Sequence, residues 1–408
     1  MIPAIASRIP LVRRTKAPAL PLEERINHLT GLTVAPTGAS HHDLVARACG
    51  VLNYAALIAS DVGLPDLAED LCWRQHQVFA DAGRLSGRIA VMSLMPLVNL
   101  SRLQTRAGQG EVAYSLLQRL NEAARHQTKA NVDGRTVDLS LLTDTDEDHR
   151  TVCQELYVTL LVDGARALAQ IGRWGEAADA MAQHRGIGNR LLDGRQIKIM
   201  ALMEQSQDQQ ARDLIDATQP TEPWESAVAD LLRAHCHPGA APASDLHRAQ
   251  RAVASLLADP EPPSYAVFQA RVGLAALDLD ARGPRTRSIA AALAEAARHD
   301  AYAAREVLHH PVAAPVLDIK ATEQLNAVLD AAGLGAGTLP ANHFRALTGA
   351  VSHAEAQLEG LLQGERHPGE SPAGPTATIR GLASSAIRPS SARSRSRPDQ
   401  GSGIAEVR

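Results

Sequence analysis

From Leu22 onward the apolar positions fall three and four residues apart, as in Leu52-Asn-Tyr-Ala-Ala-Leu57, Leu97-Val-Asn-Leu100 and Leu160-Leu-Val-Asp-Gly-Ala-Arg-Ala-Leu168. That spacing draws one apolar stripe along a helix and predicts helices over 22–236, with an insertion at 128–150. A turn-rich break at 237–244, His237-Pro-Gly-Ala-Ala-Pro-Ala-Ser244, precedes a second helical block over 245–363. Residues 1–21 are punctuated by Pro3, Pro10, Pro18 and Pro21 and carry Arg8, Arg13, Arg14 and Lys16. They predict an extended, disordered basic arm. Residues 364–408 collapse to Ser, Pro, Gly and Arg, a composition that buries too little apolar surface to offset ordering entropy and predicts a disordered tail.

The helices are related by a recurring phrase. Gly172-Arg-Trp-Gly-Glu-Ala177 follows one apolar stripe and opens another. Gly108-Gln-Gly-Glu-Val-Ala113, Gly63-Leu-Pro-Asp-Leu-Ala68 and the weaker Ser206-Gln-Asp-Gln-Gln-Ala211 repeat its shape. The physical reading is a helix, a turn whose glycine takes positive φ, then a second helix whose alanine lets the two backbones approach. The interval from Gly172 to Ser206 is 34 residues, while Gly63 to Gly108 is 45 and Gly108 to Gly172 is 64.

This pattern resembles the tetratricopeptide repeat, a helix-turn-helix unit about 34 residues long. The likeness covers about Leu44 to Pro223. Leu52, Leu97 and Leu161 stand in the large apolar slot of the first helix, Ala56, Ser101 and Ala165 in its small slot, and Leu117 and Met181 in the bulky slot of the second. The resemblance implies an all-α, irregular solenoid of antiparallel helix pairs. The Ala/Arg-rich usage is similar to that of actinobacterial chains, in which such repeats often sit in regulators.

Composition agrees with helices. Hydrophobic residues are 45% of the chain but aromatics only 3%, so the core is built from Ala, Leu and Val, which disfavours a β-sandwich. The net charge of −4 predicts no general attraction to nucleic acid or anionic lipid. The tail's alternating Ser-Arg allows at most weak, salt-sensitive nucleic-acid contact. Cys49, Cys72, Cys153 and Cys236 are too scattered for a disulfide framework. No stretch of ~18 apolar residues is present, and prolines and arginine interrupt the N-terminus as a signal peptide. The expectation is a cytoplasmic protein that binds no membrane.

Candidate chemistry is sparse. Asp144, Asp146, Asp148 and Glu155 match spacings of a calcium loop, but His149 stands where that loop needs glycine. Thr145 with Asp148 as a helix cap explains the same residues. His235-Cys236-His237, His41-His42 and His309-His310 read as helix ends rather than metal ligands. Gly186-Ile-Gly-Asn-Arg190 follows no strand and reads as a turn, and His42 to Ser60 lacks a basic recognition helix. No catalytic residues, cofactor site or metal site can be assigned.

A binding face can be. In a repeat solenoid the first helices line the concave side. Asn53, Asn99, Arg102, Arg106, Asp163 and Arg166 flank their apolar slots. Asn amides can hold a peptide backbone, and Arg forks can pair with acidic groups. The resemblance points the same way, since repeats that grip a partner's C-terminal carboxylate use Asn and basic residues at similar positions. The first expectation is therefore a scaffold or regulator that binds a peptide of another protein on this face. One alternative is an accessory biosynthetic enzyme or substrate carrier with a pocket between the helical blocks. Another is a transcriptional regulator acting through a DNA-binding partner.

Overall fold

The computed structural model describes residues 4–183, 185–237, 241–259 and 261–365. Beyond the end of the last helix, the tail expected over 364–408 lies outside the described residues.

Among the described residues the protein is all-α apart from one hairpin. After α1 (Leu22–Leu32), helices pair through short turns. The first pair is α2 (His41–Asp61) with α3 (Pro65–Ala82), and the next is α4 (Gly87–Arg106) with α5 (Gly110–His126). In the third, α6 (Asp146–Thr159) runs through a π-helical turn at Leu160–Gly164 into α7 (Ala165–Gln170), which pairs with α8 (Trp174–Gln183). The fourth is α9 (Asp193–Glu204) with α10 (Asp208–Asp216). Then come α11 (Pro223–His235), α12 (Ala243–Ala258), α13 (Ala266–Leu279) and α14 (Thr286–Ala296). The chain ends with α15 (Ala301–Leu308), α16 (Ile319–Ala332) and α17 (Ala341–Glu365).

The four phrase turns are built alike. Gly63, Gly108 and Gly172 have φ of 86°, 77° and 78°, and Ser206 takes the same left-handed region at 58°. In each, the following amide reaches back across the turn: Leu64 to the Ala59 carbonyl, Gln109 to Gln104, Arg173 to Leu168 and Gln207 to Leu202, at 2.8–3.0 Å. This closes the first helix by satisfying a carbonyl that would otherwise lack a partner. Ala68, Ala113, Ala177 and Ala211 are all fully buried at the crossings that follow. Caps set the starts: Ser40 and Asp43 form a capping box on α2, and Thr145 accepts the Asp148 amide at 3.1 Å on α6.

The insertion holds an element that helical periodicity did not predict. Lys129–Val132 (β1) and Arg135–Asp138 (β2) form an antiparallel hairpin around Asp133-Gly134, both at positive φ. Asp-Gly is the residue pair such a tight turn requires. Ala130, Val132 and Val137 point into the core.

Two large apolar clusters carry most of the core, and a small third joins Ala19 of the arm to Val267, Ala301, Tyr302 and Ala332. Of the large two, one joins α1 to α6 with α17, and the other joins α7 to α16 with the N-terminal arm. They do not part at the 237–244 break, since Cys236 and Ala249 belong to one cluster. Instead, α17 returns across the molecule to pack on α1, α2 and α3. Its approach is fixed where the Gly335 and Gly337 amides donate to the Asp61 and Val62 carbonyls at 2.8 and 2.7 Å. Among the described helices only α2 is long and apolar enough to cross a membrane, and its Val45, Leu52, Ala55 and Ile58 are buried in this core.

Candidate peptide-binding face

The first helices of successive pairs bring five of the six candidate residues into a bonded chain, while Arg106, one turn from Arg102 on α4, is bonded to Ser60 and Asp61 instead. Asn53 on α2 accepts from the Asn99 amide on α4 at 2.9 Å. One turn on, Arg102 donates to the Asn99 oxygen at 3.2 Å and to Asp163 at 2.9 Å. Asp163 lies in the π-helical turn, 3.8 Å from Arg166, whose guanidinium donates to Asp193 at the start of α9 at 2.9 Å. An i, i+3 or i, i+4 spacing keeps Asn99, Arg102 and Arg106 on one side of α4. The result is a polar row across four helical segments. It is half open to water: Arg102, Arg106 and Arg166 keep 36%, 43% and 30% of their side-chain surface.

Arg106 ends the row at a second cluster. With Arg25 of α1 and the Tyr302 hydroxyl of α15 it donates to the Asp61 carboxylate, Arg25 at 2.6 Å and Arg106 at 3.2 Å. Asp61 is nearly fully buried, and three donors on one carboxylate offset its desolvation. Burial works against the Arg25 charge, but Asp61, Tyr302 and Tyr54 together more than offset it and the guanidinium pKa is raised. Burial and then Asp61 push the Tyr302 phenol up as well.

The N-terminal arm begins with a 3-10 turn at Ala4–Arg8 and runs without regular structure from Ile9 to Pro21, and the expectation that it is disordered is corrected by the structure. Residues 4–21 lie against α9, α13 and α15. Ile5, Ile9 and Leu11 are buried in the second core, at roughly 1.5–3 kcal/mol for each side chain fully removed from water. The Gln196 side-chain amide clamps the Leu11 backbone, accepting from its N–H at 2.7 Å and donating to its carbonyl at 2.8 Å. Arg8 pairs with Asp278 and Arg13 with Glu261. Arg14 pairs with Asp193, the carboxylate that also holds Arg166. The Lys16 ammonium sits 3.8 Å from the centre of the Tyr302 ring. The residue itself remains open to water. Desolvation, then the nearby Arg271, lowers its pKa to about 8.

Asp61, Asp193, Gln196 and Tyr302 bond to these residues, to the arm or to one another, and sequence reasoning did not single them out. An acidic residue in the first turn of a helix is ordinary there, so Asp193 carries no distinguishing signal. The apolar Ile9 and Leu11 inside a basic, proline-rich segment were the available hint that the arm docks.

The other candidates take ordinary structural places. His237 pairs with Asp245, and His310 with Asp278. Asp144 of the insertion pairs with Arg84, and its neighbours Asp146 and Glu147 face solvent. Among the described residues no three His, Cys, Asp or Glu side chains converge on a metal position. Two surface clefts, of about 470 and 560 Å³, border α14 with α16 and α9 with α10. Neither adjoins the insertion. No family model, curated protein or solved structure matches this chain.

Proposed function

We propose that the protein is an interaction module, a scaffold or regulator that binds a peptide segment of a partner along the row Asn53, Asn99, Arg102, Arg106, Asp163 and Arg166. The supporting observation is the continuity of that row. Side chains from Asn53 to Asp163 link by hydrogen bonds, an ion pair at 3.8 Å carries the row on to Arg166, and Arg106 stands beside it on α4, with the arginines half open to water instead of dispersed as isolated surface charges. A row of amides and guanidinium forks can meet a peptide's carbonyls, amides and acidic groups at several points without new backbone strain. Each Arg is already oriented by a carboxylate, so less rotamer entropy is lost on binding.

The test is capture of the partner from the native cell by the full chain and by an Arg102→Ala, Arg166→Ala double variant. Loss of the wild-type partner, with helicity by circular dichroism unchanged, is the expected result. Undiminished capture by a folded double variant contradicts the reading.

A further inference from the structure

The arm binds its trough in the manner of a ligand. We propose that the trough between α9, α13 and α15 is a binding site for an extended basic peptide, with residues 8–19 as its resident occupant and a partner's basic segment as its competitor. This deepens the peptide-face reading and rests on it, because Asp193 belongs to both the row and the trough.

Three features separate the arm from an ordinary core element. Its backbone is held at few points among the described residues. They are the Gln196 clamp on Leu11, the Lys16 amide on the Ser264 carbonyl at 2.8 Å, and the Ala19 carbonyl on the Ala301 amide at 3.1 Å. A side-chain amide gripping a backbone N–H and C=O reads extended conformation independently of sequence. The side chains are then read by charge: Asp278, Glu261 and Asp193 face Arg8, Arg13 and Arg14. Finally, aromatic faces take the cations, with Tyr265 3.9 Å from the Arg13 guanidinium and Tyr302 beneath Lys16. Backbone clamp, carboxylate forks and aromatic platforms together select an apolar residue followed by paired basic residues, as in Leu11-Val-Arg-Arg14. Proline on either side, Pro10 and Pro18, keeps the unbound arm extended, so little ordering entropy is lost on re-docking.

Occupancy by the arm must weaken any competitor by the fraction of time the trough is free. The test uses a fluorescein-labelled synthetic peptide with the sequence of residues 4–20, titrated into the full chain and followed by anisotropy. The Arg13→Ala, Arg14→Ala full chain, whose own arm is loosened, should bind it about tenfold more tightly than the wild-type chain. Adding Asp193→Asn and Glu261→Gln to that chain should remove the gain, and a peptide carrying the two alanines should not compete. Equal weak binding to wild-type and loosened chains, both folded by circular dichroism, overturns the proposal.

Hydrogen exchange on the wild-type chain tests it without any variant. The Leu11 and Lys16 amides should exchange well before those of α13. Exchange of both only with global unfolding overturns the proposal, because the arm then never leaves. Failure in either experiment, with capture still dependent on Arg102 and Arg166, removes the trough as a site and leaves the face reading standing.

Discussion

His235, at the end of α11, shows how one side chain ties stability to pH. Its Nε2 is 3.4 Å from the Ala275 carbonyl, to which the neutral ring donates, and burial lowers its pKa from 6.5 to about 4. The Ala275 bond and the Asp278 carboxylate oppose that shift, and Arg8 adds to it. The unfolded chain therefore takes up this proton near pH 6.5, while the native chain resists it until about pH 4. The contribution is complete above pH 6.5 and lost as pH falls through that window, with a magnitude of at most about 3 kcal/mol. His235→Gln keeps a donor and removes the titration. Urea unfolding at pH 7 and pH 5 should show the wild type losing about 2 kcal/mol more over this step than the variant. Equal losses would contradict the assignment. The sequence placed His235 at a helix end but could not show its burial, which depends on α13 packing from forty residues away.

At the scale of elements, the helix-turn-helix phrase was legible because its demands are local. A left-handed turn residue, a reaching amide and a small residue at the crossing all fall within six positions. Ser206 meets the first demand without being glycine, at φ 58°. A left-handed residue with a Cβ costs about 1–2 kcal/mol, against about 0.4–1 kcal/mol for the greater unfolded freedom of glycine. Ser206→Gly should therefore raise the unfolding free energy from urea titration by up to about 1 kcal/mol, and Gly172→Ala should lower it by a similar amount. Gly110→Ala should cost more, about 3 kcal/mol, because its Cβ would fall 2.1 Å from the Ala167 carbonyl oxygen where α5 meets α7. A neutral Gly110→Ala would mean that this close approach is absent. The hairpin escaped because four-residue strands are too short to show alternation; its only local sign was Asp133-Gly134.

At the scale of the whole molecule, two long-range returns organise the protein. The arm crosses to α13, and α17 crosses to α2 and α3, where Arg74 pairs with Glu355 at 2.5 Å. Neither return leaves a sequence period, since each depends on the complementarity of surfaces hundreds of residues apart. The six candidate residues could be named from helical spacing alone, and the structure links five of them, Asn53, Asn99, Arg102, Asp163 and Arg166, side by side. Their carboxylate partners Asp61 and Asp193 could not be named this way, because ordinary helix ends carry the same residue types. The central claim is that this side receives a partner segment. Phenylglyoxal modification of arginines, read by mass spectrometry with and without saturating captured partner, tests it directly. Arg102, Arg106 and Arg166 should be protected, while Arg298, comparably exposed on the cleft between α14 and α16, should react as before. Unchanged reactivity of all three, or protection of Arg298 in their place, would contradict the account.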